Sequence, residues 1–312
     1  MLSENSELIS LLCDPRGISR ISLARASGIS PSKVGKLARR LLDLGILVEE
    51  GKVETARGRQ PILMKLSRDL GFLLGVDVGM VNCRLIVMDL QGCIVRSKKV
   101  PSNARGDVDQ ALGQILSAID SLLVDAGIAR DGLLAIGVSH SGGVDTKSGE
   151  CLYWHAAMQW QGVSLSRRFS KRYGVPSRVD DSVRCMTLAE KSFGLAQDVE
   201  SFVFINVGYG IGSGLFLNGE LFRGASGIAG ELGHVIIQPA GPRCTCGNYG
   251  CLEILASGWS IVNSMKKALR ENVTTRLQET YSLKGGEEAI TCLLYTSPSP
   301  RDLSTSRMPS SA

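Results

Sequence analysis

Residues 234–253 read HVIIQPAGPRCTCGNYGCLE, with one histidine ahead of three cysteines in a C-x-C-x4-C pattern. His234, Cys244, Cys246 and Cys251 offer one imidazole nitrogen and three potential thiolates from a single short stretch. That donor set suits tetrahedral zinc, and a filled tetrahedron leaves no position for an activated water. An iron–sulfur cluster fits less well, because histidine is an uncommon cluster ligand. The alternative is three reduced, unligated cysteines in a loop. Ligation would oblige the chain to bring these four side chains together, and Gly247 and Gly250 permit the tight turn this needs. Glu231 lies just before His234, and Glu253 just after Cys251. Closing the loop on a metal would therefore fix both carboxylates as well.

The other constraints are looser. At 312 residues, with 44% hydrophobic and 21% charged, the composition is globular and the length suits two or three domains. A net charge of +5 is modest, so its distribution matters more than its total. No apolar run is long enough to span a membrane. The start, MLSENSELISLL, lacks a basic n-region and a small-residue cleavage site, and nine cysteines in this length do not read as a secreted disulfide scaffold. A cytoplasmic location is the expectation. The end changes style abruptly to Ser, Pro and Arg without periodicity. Residues 292–302, CLLYTSPSPRD, match the translation of a transposon-type sequencing adapter, and SRMPSSA fits the flanking adapter. Residues 291–312 are therefore expected to lie outside the fold, with the natural chain continuing past about Ile290.

Residues 1–66 carry helical periodicity. SELISLL is a first short helix, and ISRISLARASG a second with Ile21, Leu23 and Ala24 inward; Gly28 makes the turn. The third helix starts at Ser30-Pro31, an N-cap followed by a first-turn proline, and directs Val34, Leu37, Leu41 and Leu44 to the core. Gly45 closes it. ILVEEGKVET reads as two short strands around a Glu-Gly turn. The whole is a winged helix-turn-helix pattern. Seven basic residues and no acid lie between Arg16 and Arg40, a charge distribution that neutralises phosphates. Ser32, Lys33, Lys36, Arg39 and Arg40 are candidate contacts on the third helix, whose start faces base edges in this motif. Lys33 and Lys36 could read guanine or hold phosphate. Arg57 and Arg59, in RGRQP, could reach a backbone or a minor groove. A solvated bundle with a basic face is the bland alternative. Operator DNA is the expected partner, and the motif's usual dimeric action implies a homodimer or homotetramer.

From Gly71 the pattern becomes mixed α/β. FLLGVDVG, CRLIVMDLQGCIV and LLAIGVSHSGGVD read as strands with glycine turns, and VDQALGQILSAIDSLLVDAG and SLSRRFSKRYG as helices. VPSRVDDS is a strand leading to acids, and SFVFINVGYGIGSGLFLNGEL restarts the strand–turn–strand theme. That recurrence implies two similar lobes around a cleft. The expected domains are 1–66, 71–180 and 181–290. SHS at 139–141 is read as a cleft loop, not as part of a hydrolase triad. His155 and Trp160 either line a ligand site or simply pack.

The stretches GVDVGMVNCRLIVMDLQGCIV, GGVD, VDDS, GYGIGSGLFLNGELFRGASGIAGELGH and CTCGNYGCLE together resemble the ROK family of repressors and sugar kinases. Order and spacing agree from about Gly71 to Gly258, and the N-terminal pattern resembles the family's regulator branch. The resemblance implies an actin-like (ribonuclease H-like), two-lobed ATPase-type fold whose second lobe is incomplete here. It assigns Glu231, His234 and Glu253 to sugar hydroxyls, with His234 also a zinc ligand through its other nitrogen. Asp181 matches the aspartate that, in kinases, deprotonates the sugar hydroxyl.

The chain also departs from the kinase pattern. Asp77 and Gly79 are followed by Met80, Val81 and Asn82, where kinases carry a Gly-Gly-Thr-Lys-like turn. Gly208, Gly210 and Gly212 could still form a second phosphate loop, on weak evidence. The family's Asn-Asp pair is Asp180-Asp181, and its second asparagine is Val183. Phosphoryl transfer depends on positioning and charge stabilisation, so ATP and Mg are not expected and no catalytic residue is expected; in an enzyme, Asp181 would be the base. The expected function is a sugar-responsive transcriptional repressor with a sugar or sugar phosphate as effector and structural zinc. The alternatives are an ATP-dependent hexose kinase with a fused DNA-binding head, and regulation through a protein partner.

Overall fold

The structure, a computed structural model, describes residues 8, 11–52 and 60–271. Most of the first expected helix, Arg57, Arg59 and the residues from 272 onward, including the expected foreign tail, lie outside the described residues. The chain divides into two compact units: residues 1–202 with 217–221, and residues 203–216 with 222–312. Among the described residues no helix is long and apolar enough to cross a membrane.

The head of the first unit has its own core of Leu12, Leu23, Ala24, Val34, Ala38, Leu47 and Met64. Helix α1 (Arg20–Ser27) starts at Ser19, whose hydroxyl accepts the Ser22 N–H, and ends at Gly28 with φ 67°. Only glycine takes that left-handed turn without cost. Helix α2 (Pro31–Asp43) has proline at its first turn, but Ser30 makes no side-chain cap bond. Strands β1 (Ile18–Ser19), β2 (Leu47–Lys52) and β3 (Ile62–Leu66) form an antiparallel sheet in the order β1-β3-β2.

Three local expectations are corrected here. Ile21 is 65% and Leu44 61% exposed. Ile21 lies in the opening turn of α1, and Leu44 is the C-cap of α2, so neither continues the buried stripe. Ala38, not Leu37, joins Val34 inside. Glu50-Gly51 is not the hairpin turn: β2 runs through it to Lys52, with a register shift between Glu49 and Lys52, and pairs with β3.

The rest of the first unit is built on a five-stranded sheet in the order β10-β7-β4-β5-β6. The strands are β4 (Phe72–Val78), β5 (Asn82–Asp89), β6 (Ile94–Pro101), β7 (Leu133–His140) and β10 (Ser177–Asp181). β4–β5–β6 is an antiparallel meander, while β7 runs parallel to both β4 and β10. Leu74, Val76 and Val78 face the same side as Val87, Leu85 and Cys83 across the β4–β5 ladder, and all are buried. Helix α3 (Val108–Asp125), capped by Asp107 on the Gln110 N–H, lays Ala111, Leu112, Ile115, Ile119 and Leu122 into this core. Helix α4 (Leu165–Tyr173) packs on β7 and β10, and a small hairpin, β8 (Gly143–Asp145) with β9 (Glu150–Tyr153), follows β7. The first unit does not stop at Asp181, where the sequence reading places a boundary. β10 is the edge of its main sheet, and helix α5 (Ser182–Phe193) continues it to Phe202.

The second unit carries most of a three-stranded sheet in the order β11-β12-β13 (Phe202–Val207, Ile211–Leu217, Glu220–Phe222). A long irregular segment leads from it to helices α6 (Leu252–Ala256) and α7 (Gly258–Arg270).

Candidate metal centre and ligand-reading residues

The irregular segment of the second unit is held against β12 by glycines. A Cβ on Gly230 would lie 2.1 Å from the Ser213 carbonyl oxygen, and one on Gly233 would lie 2.1 Å from that of Ile211. Ser213 donates both its N–H and its hydroxyl to the Gly230 carbonyl at 2.9 Å. The single turn Leu232–His234 starts at Glu231 on this frame. Sequence reasoning singled out Glu231 and His234 but missed Gly230, Gly233 and Ser213, which place them. The signal was the glycine spacing in GELGH.

His234, Cys244, Cys246 and Cys251 converge, with their ligand atoms all within 4.8 Å of one another. Cys244 Sγ is 3.7 Å from His234 Nδ1, and Cys246 Sγ is 3.8 Å from Cys251 Sγ. A tetrahedron with Zn–S near 2.3 Å and Zn–N near 2.0 Å has edges of about 3.5–3.8 Å; the Cys244–His234 and Cys246–Cys251 distances match such edges, and drawing in the rest of the set, spread over up to 4.8 Å, would complete the shell. Burial, with Cys246 and Cys244 alongside, pushes the Cys251 thiol up to about 12. Thiols this close resist ionising together unless a cation neutralises them. His234 presents Nδ1 to the sulfurs and Nε2 to Glu231, 3.8 Å from its Oε2. The loop is closed by main chain. The Gly250 carbonyl accepts the N–H groups of Ile237 (2.8 Å) and Gln238 (3.1 Å), and the Gly250 N–H donates to Pro242 (2.8 Å). A Cβ on Gly250, at φ 64°, would lie 1.6 Å from the Gln238 carbonyl oxygen. Glu253, on α6, accepts the Ile211 N–H at 2.9 Å.

The expected second phosphate turn is Gly208–Gly210, with Gly212 inside β12. Gly208 donates to the Gly210 carbonyl at 2.9 Å. The carbonyls of Gly208 and Tyr209 accept the N–H groups of Gly258 and Trp259, at the start of α7. Main-chain oxygens thus occupy donors that in a phosphate site would face an anion.

In the first unit, β-sheet register aligns two rows at the carboxyl ends of the parallel strands. Asp77, Ser139 and Asp180 form one; Val78, His140 and Asp181 the other. This edge is where ligands bind in parallel α/β sheets. Asp77 is already engaged: it accepts the Ser139 hydroxyl at 2.8 Å and an Arg84 N–H at 3.2 Å. Gly79 opens a tight turn, its N–H donating to Asn82 O at 3.2 Å. Asp181 caps α5, with Oδ1 accepting the Val183 and Arg184 N–H groups at 2.9 and 3.1 Å. Burial holds its carboxyl above the ordinary range, against these two bonds. The adjacent Asp180 is not left facing Asp181 alone. Its Oδ1 accepts the Asp181 N–H at 2.8 Å and lies 3.8 Å from Arg184, a guanidinium only 5% exposed. Arg184 was missed in the sequence, because its role depends on its burial.

Within the 139–141 segment only Ser141 lies outside the strand. Ser139 and His140 end β7, because the strand pairs on both sides up to His140. His140 is fully buried, edge-on to Trp154 at 4.5 Å between ring centroids. Its Nδ1 accepts the Gly142 N–H at 2.9 Å, and burial pushes its pKa down to about 4. Trp160 is buried and packs, whereas His155 is exposed and stacks on Tyr153 at 5.2 Å.

In the head, Ser32, Lys33, Lys36, Arg39 and Arg40 are all exposed on α2. Among the described residues none of these four cations is paired with an acid, whereas Arg16 and Arg20 are held by Asp14 and Glu49.

Known proteins resemble this chain over most of its length. The chain is 29% identical to the xylose repressor of Caldicellulosiruptor bescii over 278 residues, 88% of this chain and 69% of that protein. It is 30% identical to the DNA-binding transcriptional dual regulator NagC of Escherichia coli K12 over 88% of this chain and 67% of NagC. For the xylose repressor of Bacillus subtilis the identity is 28%, over 80% and 64%. The chain thus spans about two thirds of the length of these relatives. A solved ROK family transcriptional regulator, a homolog of the E. coli MLC protein, superposes with a TM-score of 0.69 at 29% identity, over 88% of this chain and 69% of that one. A ROK family glucokinase from Streptomyces griseus gives 0.58 at 29%, over 70% and 68%. Residues 73–291, which hold both the strand-end acids and the His-Cys loop, match the ROK family throughout, and the chain belongs to that family.

Proposed function

We propose that this chain is a sugar-responsive transcriptional repressor of carbohydrate-utilisation genes. Its head is a winged helix-turn-helix, and its body is an actin-like two-lobed domain that senses a sugar or sugar phosphate. The observation that carries this is α2: a helix whose exposed cations have no acidic partner among the described residues, in a head with its own core, joined to a ROK domain. Lys33, Lys36, Arg39 and Arg40 are positioned to neutralise phosphates, and Ser32 lies at the end of the helix that meets base edges. Arg57 and Arg59 belong to the same reading. A homodimer or homotetramer would set two such helices on operator half-sites in the cytoplasm.

The effector-reading residues of this proposal are Glu231, His234 and Glu253, with Asp181 as a further candidate contact. Zinc on His234, Cys244, Cys246 and Cys251 is structural: four protein donors leave no place for an activated water. It holds the His234 ring so that Nε2 and the Glu231 carboxylate are available as one polar surface for hydroxyls.

The body is not an enzyme in this reading. Asp77 is occupied by Arg84 and Ser139 instead of being open to a metal–nucleotide, and the turn after it lacks the kinase residues. The test is a gel shift on operator fragments selected by the protein itself, with and without xylose and N-acetylglucosamine, the sugars for which relatives are named. Loss of the shift with one sugar is expected. Sugar-dependent ATP consumption with no DNA binding would overturn the proposal in favour of a kinase.

A further inference from the structure

We infer that helix α5 is a coupling rod: its first residue is tied to Asp181 at the ligand edge of the sheet, and its far end latches the DNA-binding head at two points. The inference rests on the reading of Asp181 as a ligand-side acid, and it names how that site would be heard by the head.

At the near end, the Asp181 carboxylate is both the cap of α5 and the group offered to a ligand. Oδ1 already takes two helix N–H groups, so a hydroxyl bound there must share or displace them. The rod itself is twelve residues long, about 18 Å at ~1.5 Å per residue.

At the far end there are two connections. Phe193, the last residue of α5, lies against the β5–β6 turn; a Cβ on Gly92 would sit 2.6 Å from its ring. That turn is rigid, because Asp89 Oδ1 accepts the N–H groups of Gln91 and Cys93 at 2.9 and 3.0 Å. Gln91, 7% exposed, reaches from it into the head. Its Nε2 donates to the Leu66 carbonyl of β3 at 2.9 Å, and its Oε1 accepts from Arg68 at 2.9 Å.

The second connection follows α5 directly. Lys191 donates to the carbonyls of Gln197 and Val199 at 2.7 and 3.0 Å, and Glu190 accepts the Leu195 N–H at 2.7 Å. These bonds fold the next residues back on the helix and present Asp198 to Arg16 of the head at 2.8 Å. Arg16 is in turn fixed by Asp14, with contacts of 3.0–3.3 Å. The exposed Arg16–Asp198 pair is weak and salt-screened, whereas the buried Gln91 joint resists loss because its amide would be left without partners. Both latches hang on one helix end, so a displacement of α5 moves them together. A shared element with two arrangements is what coupling between distant sites requires.

Hydrogen exchange on the ligand-free chain tests this with no sugar or DNA. Wild type, Asp181→Ala, Gln91→Ala/Asp198→Ala and the triple variant are compared. Uncapping α5 with Asp181→Ala should speed exchange in the head peptides 13–19 and 62–70 on the order of fivefold or more, while peptides 72–78 and 133–140 stay protected. In the Gln91→Ala/Asp198→Ala background the same change should add nothing to the head peptides. Loosening confined to 182–193, or a head response that persists without the latches, overturns the inference. If Asp181→Ala does not fold, Phe193→Ala carries the test from the other end, and unchanged exchange at 62–70 counts against the rod. Failure to bind sugar or operator would sink the proposed function without touching this readout, so the two fail separately.

Discussion

The Glu253 carboxylate accepts the backbone N–H of Ile211 at 2.9 Å, tying α6 to the glycine turn ahead of β12. A Cβ on Gly210 would lie 2.4 Å from the same Oε2. Gly210 therefore serves to let this carboxylate approach the main chain. Gly210→Ala should displace the flexible Glu253 carboxylate and break its bond to Ile211, at a cost of about 0.5–1.5 kcal/mol, read as a slightly lower melting temperature, with weakened sugar binding. Unchanged melting and binding would mean that Glu253 is not held here.

Cys246→Ser should abolish metal retention. Metal analysis of purified protein should fall from about one zinc per chain to near zero, because a thiolate is replaced by a poor ligand in a closed tetrahedral set. The His234 ring then loses the metal that fixes it, so sugar affinity should drop with the metal. Full zinc occupancy in the variant would remove Cys246 from the ligand set.

Lys36→Ala should weaken operator binding and reduce the slope of log affinity against log salt by about one, as expected for one lost phosphate contact. The side chain is exposed, so stability should be unaffected. An unchanged slope together with relaxed sequence preference would make Lys36 a base reader instead.

His140 should make the fold acid-sensitive. Its folded pKa, about 4, lies below the ordinary histidine value, so the unfolded chain takes up the proton first as pH falls. Stability should decline from about pH 6.5 to about pH 4, by ~3 kcal/mol if the full difference is expressed, and then level off. Asp181, raised by burial, works in the opposite sense near its own range. The comparison of wild type with His140→Asn, which retains an acceptor for Gly142 but cannot titrate, isolates the histidine. Parallel acid profiles would show that His140 is not the source.

A coupled assay with ATP and a hexose panel should find no sugar-dependent turnover. Turnover that Asp181→Asn abolishes would make that aspartate a catalytic base.

The body was largely legible in the sequence because its strands are short apolar runs that end in Asp or Gly, and its candidate metal ligands come from one stretch. The elements that were misread depend on partners far along the chain. β1 is two residues that exist only because Leu63 and Met64 pair with them. The turn expected at Glu50-Gly51 became a bulge because β3 supplies the return strand. Leu44 has the helical spacing of a core residue but sits where α2 has already ended. At the site, Asp180-Asp181 read as two acids in conflict. The arginine that accommodates one of them was visible at position 184, but no local pattern said that its guanidinium would be buried.

The clasp at Gly250 closes the metal loop with carbonyl and amide groups alone. Such a frame is indifferent to the side chains strung along it. Positions 239–243 can be rewritten without reopening the loop, provided that Gly241 and the two ends keep their backbone path. One fixed mount can therefore carry many different outer edges, and selection can alter what the loop meets while leaving untouched the device that holds it.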